Sequence, residues 1–170
     1  VLRDGYRWDS GAGRWMEWMD CVWSEVTEER VEDTAAAVLR AKYDRQIQYA
    51  KKRELTLLRT AKYDAEQYPR VGGALAFLRG RDGFLTQPNE WDADGWALNV
   101  KNGLLDLRTG QLSRHTPRML VTKMAPVDYD PRADCQRWKE HIARFLPNPN
   151  IQRHLQRSLG LALVGATLEE

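Results

Sequence analysis

The stretch WALNVKNGLLDLRTGQL, residues 96–112, combines two turn signals with short apolar runs. Asn102-Gly103 suits the positive-φ positions of a tight hairpin turn, and Thr109-Gly110 suits a slightly longer turn. Short runs of apolar residues lie before and between these turns. The pattern predicts a small antiparallel meander, with strands at residues 97–100, 104–107 and 111–113 and a fourth strand at residues 120–125.

Residues 1–26 contain four of the seven tryptophans and alternate aromatic with polar side chains around a turn at Gly11 and Gly13. The aromatic residues on the two sides of this turn are Tyr6, Trp8, Trp15 and Trp18. Such spacing is typical of a β-hairpin. We predict a Trp-rich hairpin that covers one side of a core, with stacking on nucleic-acid bases as the alternative.

Residues 27–90 show helical periodicity. We predict Thr27 as the N-cap, because Glu28 and Glu29 follow it, where the positive end of a helix dipole favours acidic side chains. The run KKRE at residues 51–54 divides the pattern into two helices. A further short helix is predicted at residues 71–79, and loop-forming residues follow.

The C-terminal part of the chain carries two more helical patterns. Asp130 is the predicted N-cap of the first helix and Pro131 its first residue. Asn150 is the predicted cap of the second helix. The residues predicted to face a core are Trp138, Ile142 and Phe145 on the first helix and Ile151, Leu155, Leu159 and Leu163 on the second.

The fold class predicted from these elements is α+β, because no regular βαβ alternation is present. Its order is an N-terminal aromatic hairpin (residues 1–26), a helical section (residues 27–90), and a section with the meander and two C-terminal helices (residues 91–170). The chain begins at Val1 without an initiator Met and stops at LGLALVGATLEE, so we expect a fragment of a longer protein.

Composition excludes several classes of protein. The net charge of +2 does not by itself indicate a polyanion partner. No apolar run approaches the roughly 20 residues of a membrane span, and no signal peptide opens the chain. Cys21 and Cys135 lie far apart and outside any CxxC pair, which favours free thiols in a reducing cytoplasm over a disulfide.

The strongest basic feature is the segment 40–62, in which eight basic residues accompany only two acidic ones, Asp44 and Glu54. The basic residues are Arg40, Lys42, Arg45, Lys51, Lys52, Arg53, Arg59 and Lys62. A solvated helix face explains such a run. The alternative is a DNA-binding surface, because phosphate contacts need clustered Lys and Arg but no particular motif.

Complete catalytic motifs are absent from the sequence. It has no GxxxxGK phosphate-binding loop, no HExxH and no GxSxG, and its three histidines are scattered. Asp92 and Asp94 form a DxD pair, the spacing that metal-dependent nucleotidyl transferases use on an apolar strand. Polar turn-forming residues precede this pair, which favours a loop. We therefore predict no catalytic residue and no metal site in this chain.

Three stretches together resemble one family. They are WDADGWALNVKNGLLDLRTGQLSRHTP, LVTKMAPVDYDPRADCQRWKEHI and LQRSLGLALVGATLEE. They are similar to the domain upstream of the helicase motor in phage and plasmid primase–helicases, a group that includes the poxvirus primase–helicase. The positions that carry the likeness include Asn99, Asn102, Gly103, Asp106, Gly110, His115, Lys123, Tyr129, Asp130, Trp138, Arg157, Gly160, Thr167 and Glu169. Departures are mild: Gln136, Val164 and Glu170 replace Pro, Thr and Gln.

The resemblance implies a parent protein that is a ring-forming superfamily 3 DNA helicase of a phage, prophage or plasmid, often fused to a primase. Residues 91–170 would be its pre-motor domain, a non-catalytic collar or linker that supports ring assembly and guides DNA. The parent's ATP and Mg²⁺ would bind in a motor after residue 170, and this fragment would hold no cofactor. The implied partners are DNA and further copies of the parent, without a membrane, in the cytoplasm of a bacterial host cell.

Two other functions compete with this one. The first is a structural oligomerisation or protein-docking module without nucleic-acid contact, with the Trp-rich hairpin as its interface. The second is a nucleotidyl transferase that uses Asp92 and Asp94, which is the weakest of the three hypotheses.

Overall fold

The N-terminal aromatic segment forms three antiparallel strands in the computed structural model, which describes residues 2–165 apart from the side chain of Tyr68. A short helix, α1 (Leu2–Gly5), precedes β1 (Tyr6–Asp9), β2 (Arg14–Trp18) and β3 (Trp23–Val26). A fourth strand, β4 (Leu85–Thr86), pairs in parallel with β1, so that the strand order is β3-β2-β1-β4. The predicted hairpin is confirmed, and β3 and β4 extend it to a four-stranded sheet.

Helices α2 (Glu28–Tyr49) and α4 (Tyr68–Leu78) pack against this sheet, and α3 (Lys52–Ala65) packs against α2 and α4. Thr27 occupies the predicted N-cap position of α2, although its hydroxyl group makes no capping hydrogen bond. The predicted break is confirmed, since Ala50 and Lys51 are extended and separate α2 from α3. The buried core between sheet and helices consists of Tyr6, Trp15, Val31, Ala35, Val71 and Leu75.

These elements make up the first of two compact units, Val1–Trp91, and the second unit is Asp92–Glu170. The second unit contains β5 (Ala97–Val100), β6 (Gly103–Asp106) and β7 (Leu112–Ser113) in an antiparallel sheet of that order. The predicted meander is therefore confirmed, with turns at both of the predicted positions.

The predicted fourth strand at residues 120–125 is wrong. Within the described residues, the strand pairing of this segment with the sheet is limited to one isolated β-bridge, between Val100 and Ala125. Local turns interrupt the ladder, because the backbone N–H of Val121 donates to the carbonyl of Met119 and that of Val127 donates to Ala125. A chain that turns back on itself at both ends of the segment cannot continue regular strand pairing.

Both predicted helix starts in the second unit are wrong. Helix α5 spans Gln136–Phe145 and begins after a turn in which the Asp130 carboxylate accepts the Arg132 backbone N–H at 2.9 Å. Asp130 therefore stabilises a local turn and not a helix N-terminus. Helix α6 spans Pro149–Ala162, and its cap is Asn148, whose Oδ1 accepts from the Asn150 backbone N–H at 2.9 Å.

The predicted inward faces of α5 and α6 are also wrong, since neither helix has a buried residue. Exposed members of these faces are Trp138, Phe145, Ile151, Leu159 and Leu163, while Ile142 and Leu155 are half-buried. Helical spacing shows that a helix has an apolar face, but it does not supply the surface that would cover that face. The motif positions Thr167 and Glu169 and the departure at Glu170 lie outside the described residues.

Both cysteines, Cys21 and Cys135, are free thiols. Within residues 2–165, every helix is too short or too polar to cross a lipid bilayer.

Candidate nucleic-acid interface

The basic segment folds into an antiparallel helical hairpin, which we call the basic arm (residues 40–62). It consists of the second half of α2, the two-residue connection at Ala50 and Lys51, and the first part of α3. Partly buried side chains line the inside of the arm, among them Tyr43 and Ile47 on α2 and Leu55, Leu58 and Ala61 on α3. The apolar faces of the two helices thus pack against each other.

Two of the eight predicted DNA-binding residues form ion pairs at the base of the arm. Arg40 Nε lies 3.2 Å from Glu66 Oε1, and Lys62 Nζ lies 2.6 Å from Asp44 Oδ1. These pairs join α2 to α3, because each contains one residue from each helix or its end. Arg40 and Lys62 are therefore better explained as structural residues of the hairpin than as phosphate ligands.

The other six predicted residues are exposed and form no ion pair within residues 2–165. They are Lys42, Arg45, Lys51, Lys52, Arg53 and Arg59. All but Lys42 belong to the arm tip, which we define as residues 45–59, and only Glu54 is acidic there. The Glu54 carboxylate accepts the backbone N–H of Lys51 at 3.2 Å and so caps α3.

The arm tip lies well away from the core of the first unit. Ala35 is the last buried residue of α2, and α3 has no buried residue. Fourteen residues separate Ala35 from Tyr49 at the end of α2, which corresponds to about 21 Å along a helix axis. The structure thus presents the tip's positive charge at the end of a protruding arm, beside the positive N-terminal end of α3.

The tip also carries two large exposed side chains that do not appear among the predicted DNA-binding residues. Tyr49 is 78% exposed and Leu57 is 74% exposed. The sequence pattern did not indicate them as binding residues, because an exposed position of this kind becomes evident only once the helices are packed. The signal in the sequence that could have identified Tyr49 and Leu57 is their closeness in the chain to Lys51, Lys52 and Arg53.

Most of the family-motif residues stabilise the second unit. Asn99 is 5% exposed, and its Nδ2 donates to the Lys123 carbonyl oxygen at 2.9 Å. Its Oδ1 lies 2.9 Å from His115 Nε2, which is also 3.0 Å from the carbonyl oxygen of Val100. Asn99 and His115 thus connect β5 to two later segments through a buried polar network.

A second amide connects the first turn of the meander to residue 129. Asn102 Nδ2 donates to the Tyr129 carbonyl oxygen and Asn102 Oδ1 accepts the Tyr129 N–H, each at 2.9 Å. Gly103 follows, and a Cβ atom there would collide with the Ser113 carbonyl oxygen and the Leu112 side chain. The requirement for glycine at 103 therefore comes from the close approach of β7.

The second turn of the meander uses Asp106 and Gly110. The Asp106 carboxylate accepts the Arg108 backbone N–H at 2.8 Å, and the Gly110 N–H donates to the Asp106 carbonyl oxygen at 2.7 Å. Gly110 has a φ of 71°, in the region that favours glycine. Three further motif residues, Lys123, Trp138 and Arg157, have exposed side chains, and Gly160 has open space around it.

The two carboxylates of the DxD pair bind different partners in a loop. Asp92 accepts from both the backbone N–H and the hydroxyl group of Thr122. Asp94 accepts from Arg108 at 3.1 Å and from the Trp96 N–H at 3.0 Å, and the Arg108 hydrogen bond lowers the pKa of Asp94. Both acids therefore have structural partners, which weighs against the nucleotidyl transferase hypothesis. No group of three or more Asp, Glu, His or Cys residues within residues 2–165 could hold a metal ion.

The Trp-rich hairpin is part of the core. Trp15 is 2% exposed, and its ring packs edge-on against Trp8 and Phe84. Trp23 is also buried, and the guanidinium of Arg7 lies over its ring. The burial of Trp15 and Trp23 weighs against the Trp-rich hairpin as a docking interface, because these side chains cannot contact a partner while they lie in the core.

The chain matches a family of proteins described as D5 N terminal like, over residues 1–147. Since the match spans most of the chain, the protein belongs to this family of primase–helicase N-terminal domains. The match confirms the resemblance over residues 91–147 and extends it to the first unit, while the stretch LQRSLGLALVGATLEE lies beyond it. No curated protein matches the chain.

Proposed function

We propose that this primase–helicase N-terminal domain is a non-catalytic collar or linker that guides DNA towards an ATPase motor, with the arm tip as its DNA contact. The observation that carries the proposal is the concentration of five exposed basic residues without carboxylate partners at the end of the arm. In contrast, Arg40 and Lys62 are neutralised at its base.

Several physical properties of the tip support phosphate binding. Exposed Lys and Arg side chains release counterions from DNA when they bind phosphates, which supplies most of non-specific affinity. Lys51, Lys52 and Arg53 are consecutive, so they concentrate three positive charges at the connection between the helices. The ion pairs at the base make the arm a firmer support than a loop of the same charge.

The remaining parts of the proposal rest on family membership. A ring assembled from several copies of the parent protein would bring several arms around one DNA molecule. ATP and Mg²⁺ would bind to the motor, and the cellular location would be the cytoplasm of a bacterium that carries the phage or plasmid. In this arrangement the domain contributes position and charge, and the motor contributes catalysis.

Binding of a fluorescent oligonucleotide at salt concentrations from about 50 to about 200 mM tests the DNA contact. Replacing Lys51, Lys52 and Arg53 together by Gln should weaken binding. It should also reduce the slope of log affinity against log salt by about 2, since each phosphate contact on a single strand contributes roughly 0.7.

The matched control removes the same charge elsewhere, by replacing the exposed residues Arg114, Arg118 and Arg132 with Gln. The control should retain the slope of the native protein. Equal losses in both variants would mean that only net charge matters, and no loss in the tip variant would refute the DNA contact.

A protein-docking module without nucleic-acid contact is the second candidate, and the exposed apolar faces of α5 and α6 favour it. The same measurement separates the two candidates. A docking module would show no binding that depends on Lys51, Lys52 and Arg53.

A further inference from the structure

We infer that the arm tip binds single-stranded DNA in preference to duplex DNA, because Tyr49 stacks on an unpaired base. This inference rests on the proposed DNA contact of the tip and adds the form of DNA that the tip recognises.

Tyr49 occupies a position that packing does not explain. It is the last residue of α2 and, at 78% exposure, the most exposed of the large hydrophobic side chains. Leu39 lies ten residues earlier and is the last α2 residue packed against the core cluster, about 15 Å away along the helix axis. The Tyr49 ring therefore adds little to the stability of the first unit.

Basic residues precede and follow Tyr49 closely in the chain. Arg45 precedes Tyr49 by four residues and so lies one turn away on the same face of α2. Lys51 and Lys52 follow within three residues, at the start of α3. An aromatic ring between cations is the combination with which single-strand-binding proteins hold a base and its neighbouring phosphates.

The pattern repeats on the second helix of the arm. Leu57 is exposed and follows Arg53 by four residues, so an arginine and an apolar side chain again share one face. Thr56 and Thr60 are exposed on the same helix and provide hydroxyl groups that can bond to phosphate or base atoms. Helix α3 thus carries a second exposed apolar side chain within the arm tip.

Stacking on Tyr49 distinguishes single strands from duplexes for a geometric reason. In a duplex both faces of each base are covered by neighbouring base pairs, and only the base edges are open in the grooves. In a single strand the base faces are accessible to an aromatic ring. The basic residues bind the phosphates of either form, whereas the ring contributes only to the single strand.

Affinities for a single-stranded oligonucleotide of about 20 nucleotides and for a duplex of the same length test the inference. The native chain should bind the single strand more tightly. Tyr49→Ala should weaken single-strand binding at least about fivefold and leave duplex binding within about twofold, since one stacked base contributes that much or more. Tyr49→Phe should bind like the native chain.

Phe77→Ala is the matched control, because Phe77 is an exposed aromatic residue on α4 outside the arm. It should bind both oligonucleotides like the native chain. Equal weakening of both forms by Tyr49→Ala, or no weakening, would overturn the stacking inference, as would tighter binding of the duplex by the native chain. If the triple Gln variant loses binding while Tyr49→Ala binds the single strand as tightly as the native chain, the DNA contact is supported and only the stacking is refuted.

Photo-crosslinking to a single strand that contains iodouracil gives an independent readout. Trypsin releases residues 46–51 as the peptide QIQYAK, in which Tyr49 is the only aromatic residue. We expect a crosslink in this peptide. A crosslink confined to the peptide of residues 63–70, which contains the exposed Tyr63, would place the base elsewhere and overturn the inference.

Discussion

The two units of the chain are stabilised in different ways. In the first unit, aromatic and aliphatic side chains from β1, β2, α2 and α4 form one continuous buried cluster. In the second unit, few hydrophobic residues are buried, among them Val100, Leu105 and Val121, and amide side chains connect the strands to the later segments. Apolar burial therefore dominates the first unit, and hydrogen bonds between side chains and backbone carry much of the second.

This comparison shows what a helical pattern does and does not imply. Val31 and Ala35 of α2 are buried, because a sheet lies against that face. Trp138 and Phe145 of α5 have similar spacing and are exposed. The difference lies in the surroundings of the helix and not in its own residues.

The largest expected effect follows from the aromatic core. Trp15→Ala should lower the free energy of unfolding of the first unit by about 3–5 kcal/mol, because it removes a large buried ring and leaves a cavity. Trp138→Ala, at a site that is 50% exposed, should lower stability by less than about 1 kcal/mol. Urea unfolding followed by circular dichroism measures both. Similar losses would show that Trp138 is buried in solution and would remove the contrast between the units.

A smaller effect is expected from the polar network of the second unit. Asn99→Ala should destabilise this unit by about 2 kcal/mol, because it removes a buried amide that bonds both the Lys123 carbonyl group and His115. The control substitution Asn150→Ala, at an exposed position, should change the free energy of unfolding by less than about 0.5 kcal/mol. Hydrogen exchange of the β5 and β6 amides would report the loss locally. Unchanged protection in Asn99→Ala would mean that apolar packing alone maintains the meander.

The smallest effect concerns Glu17 and depends on pH. The Arg30 Nε hydrogen bond at 2.7 Å lowers the pKa of Glu17, the Tyr6 hydroxyl group adds to this, and burial opposes it. The unfolded chain therefore binds a proton more readily, so the stabilisation is complete at neutral pH and is lost as pH falls below the ordinary glutamate pKa near 4.3. It is modest, about 1 kcal/mol, since Arg30 is largely exposed.

Urea midpoints of the native chain and of Glu17→Gln, measured from neutral pH to below pH ~3, test this expectation. The difference in urea midpoint between the native chain and Glu17→Gln should disappear as the pH falls. A difference in midpoint that does not change with pH would show that Glu17 stabilises the sheet through packing or uncharged hydrogen bonds.

Local signals in the sequence predicted the elements that depend on a few neighbouring residues. Asn102-Gly103 marks a hairpin turn, and Thr27 lies where α2 begins. Local signals failed where one residue type serves two structures. Asp130 can cap a helix or close a turn, and it closes a turn. The choice depends on what the following residues contact, which no short pattern specifies.

The candidate site shows the same division. All eight basic residues were evident from the sequence, but Arg40 and Lys62 bind carboxylates on the other helix. Glu66 lies 26 residues beyond Arg40, so only the folded hairpin brings the two together. The exposure of Tyr49 follows from the length by which α2 extends past the core.

The sequence by itself determined the α+β class, the meander, the break between α2 and α3, the family and the charge of the basic segment. The family follows from the likeness of sequence motifs, and the other properties follow from turn chemistry, helix capping and composition, which act over a few residues. Only the tertiary structure decided which basic side chains form ion pairs, which aromatic residues are buried and which apolar faces are exposed. Those outcomes depend on contacts between residues distant in the chain, where burial and ion pairing are set by the geometry of the whole unit.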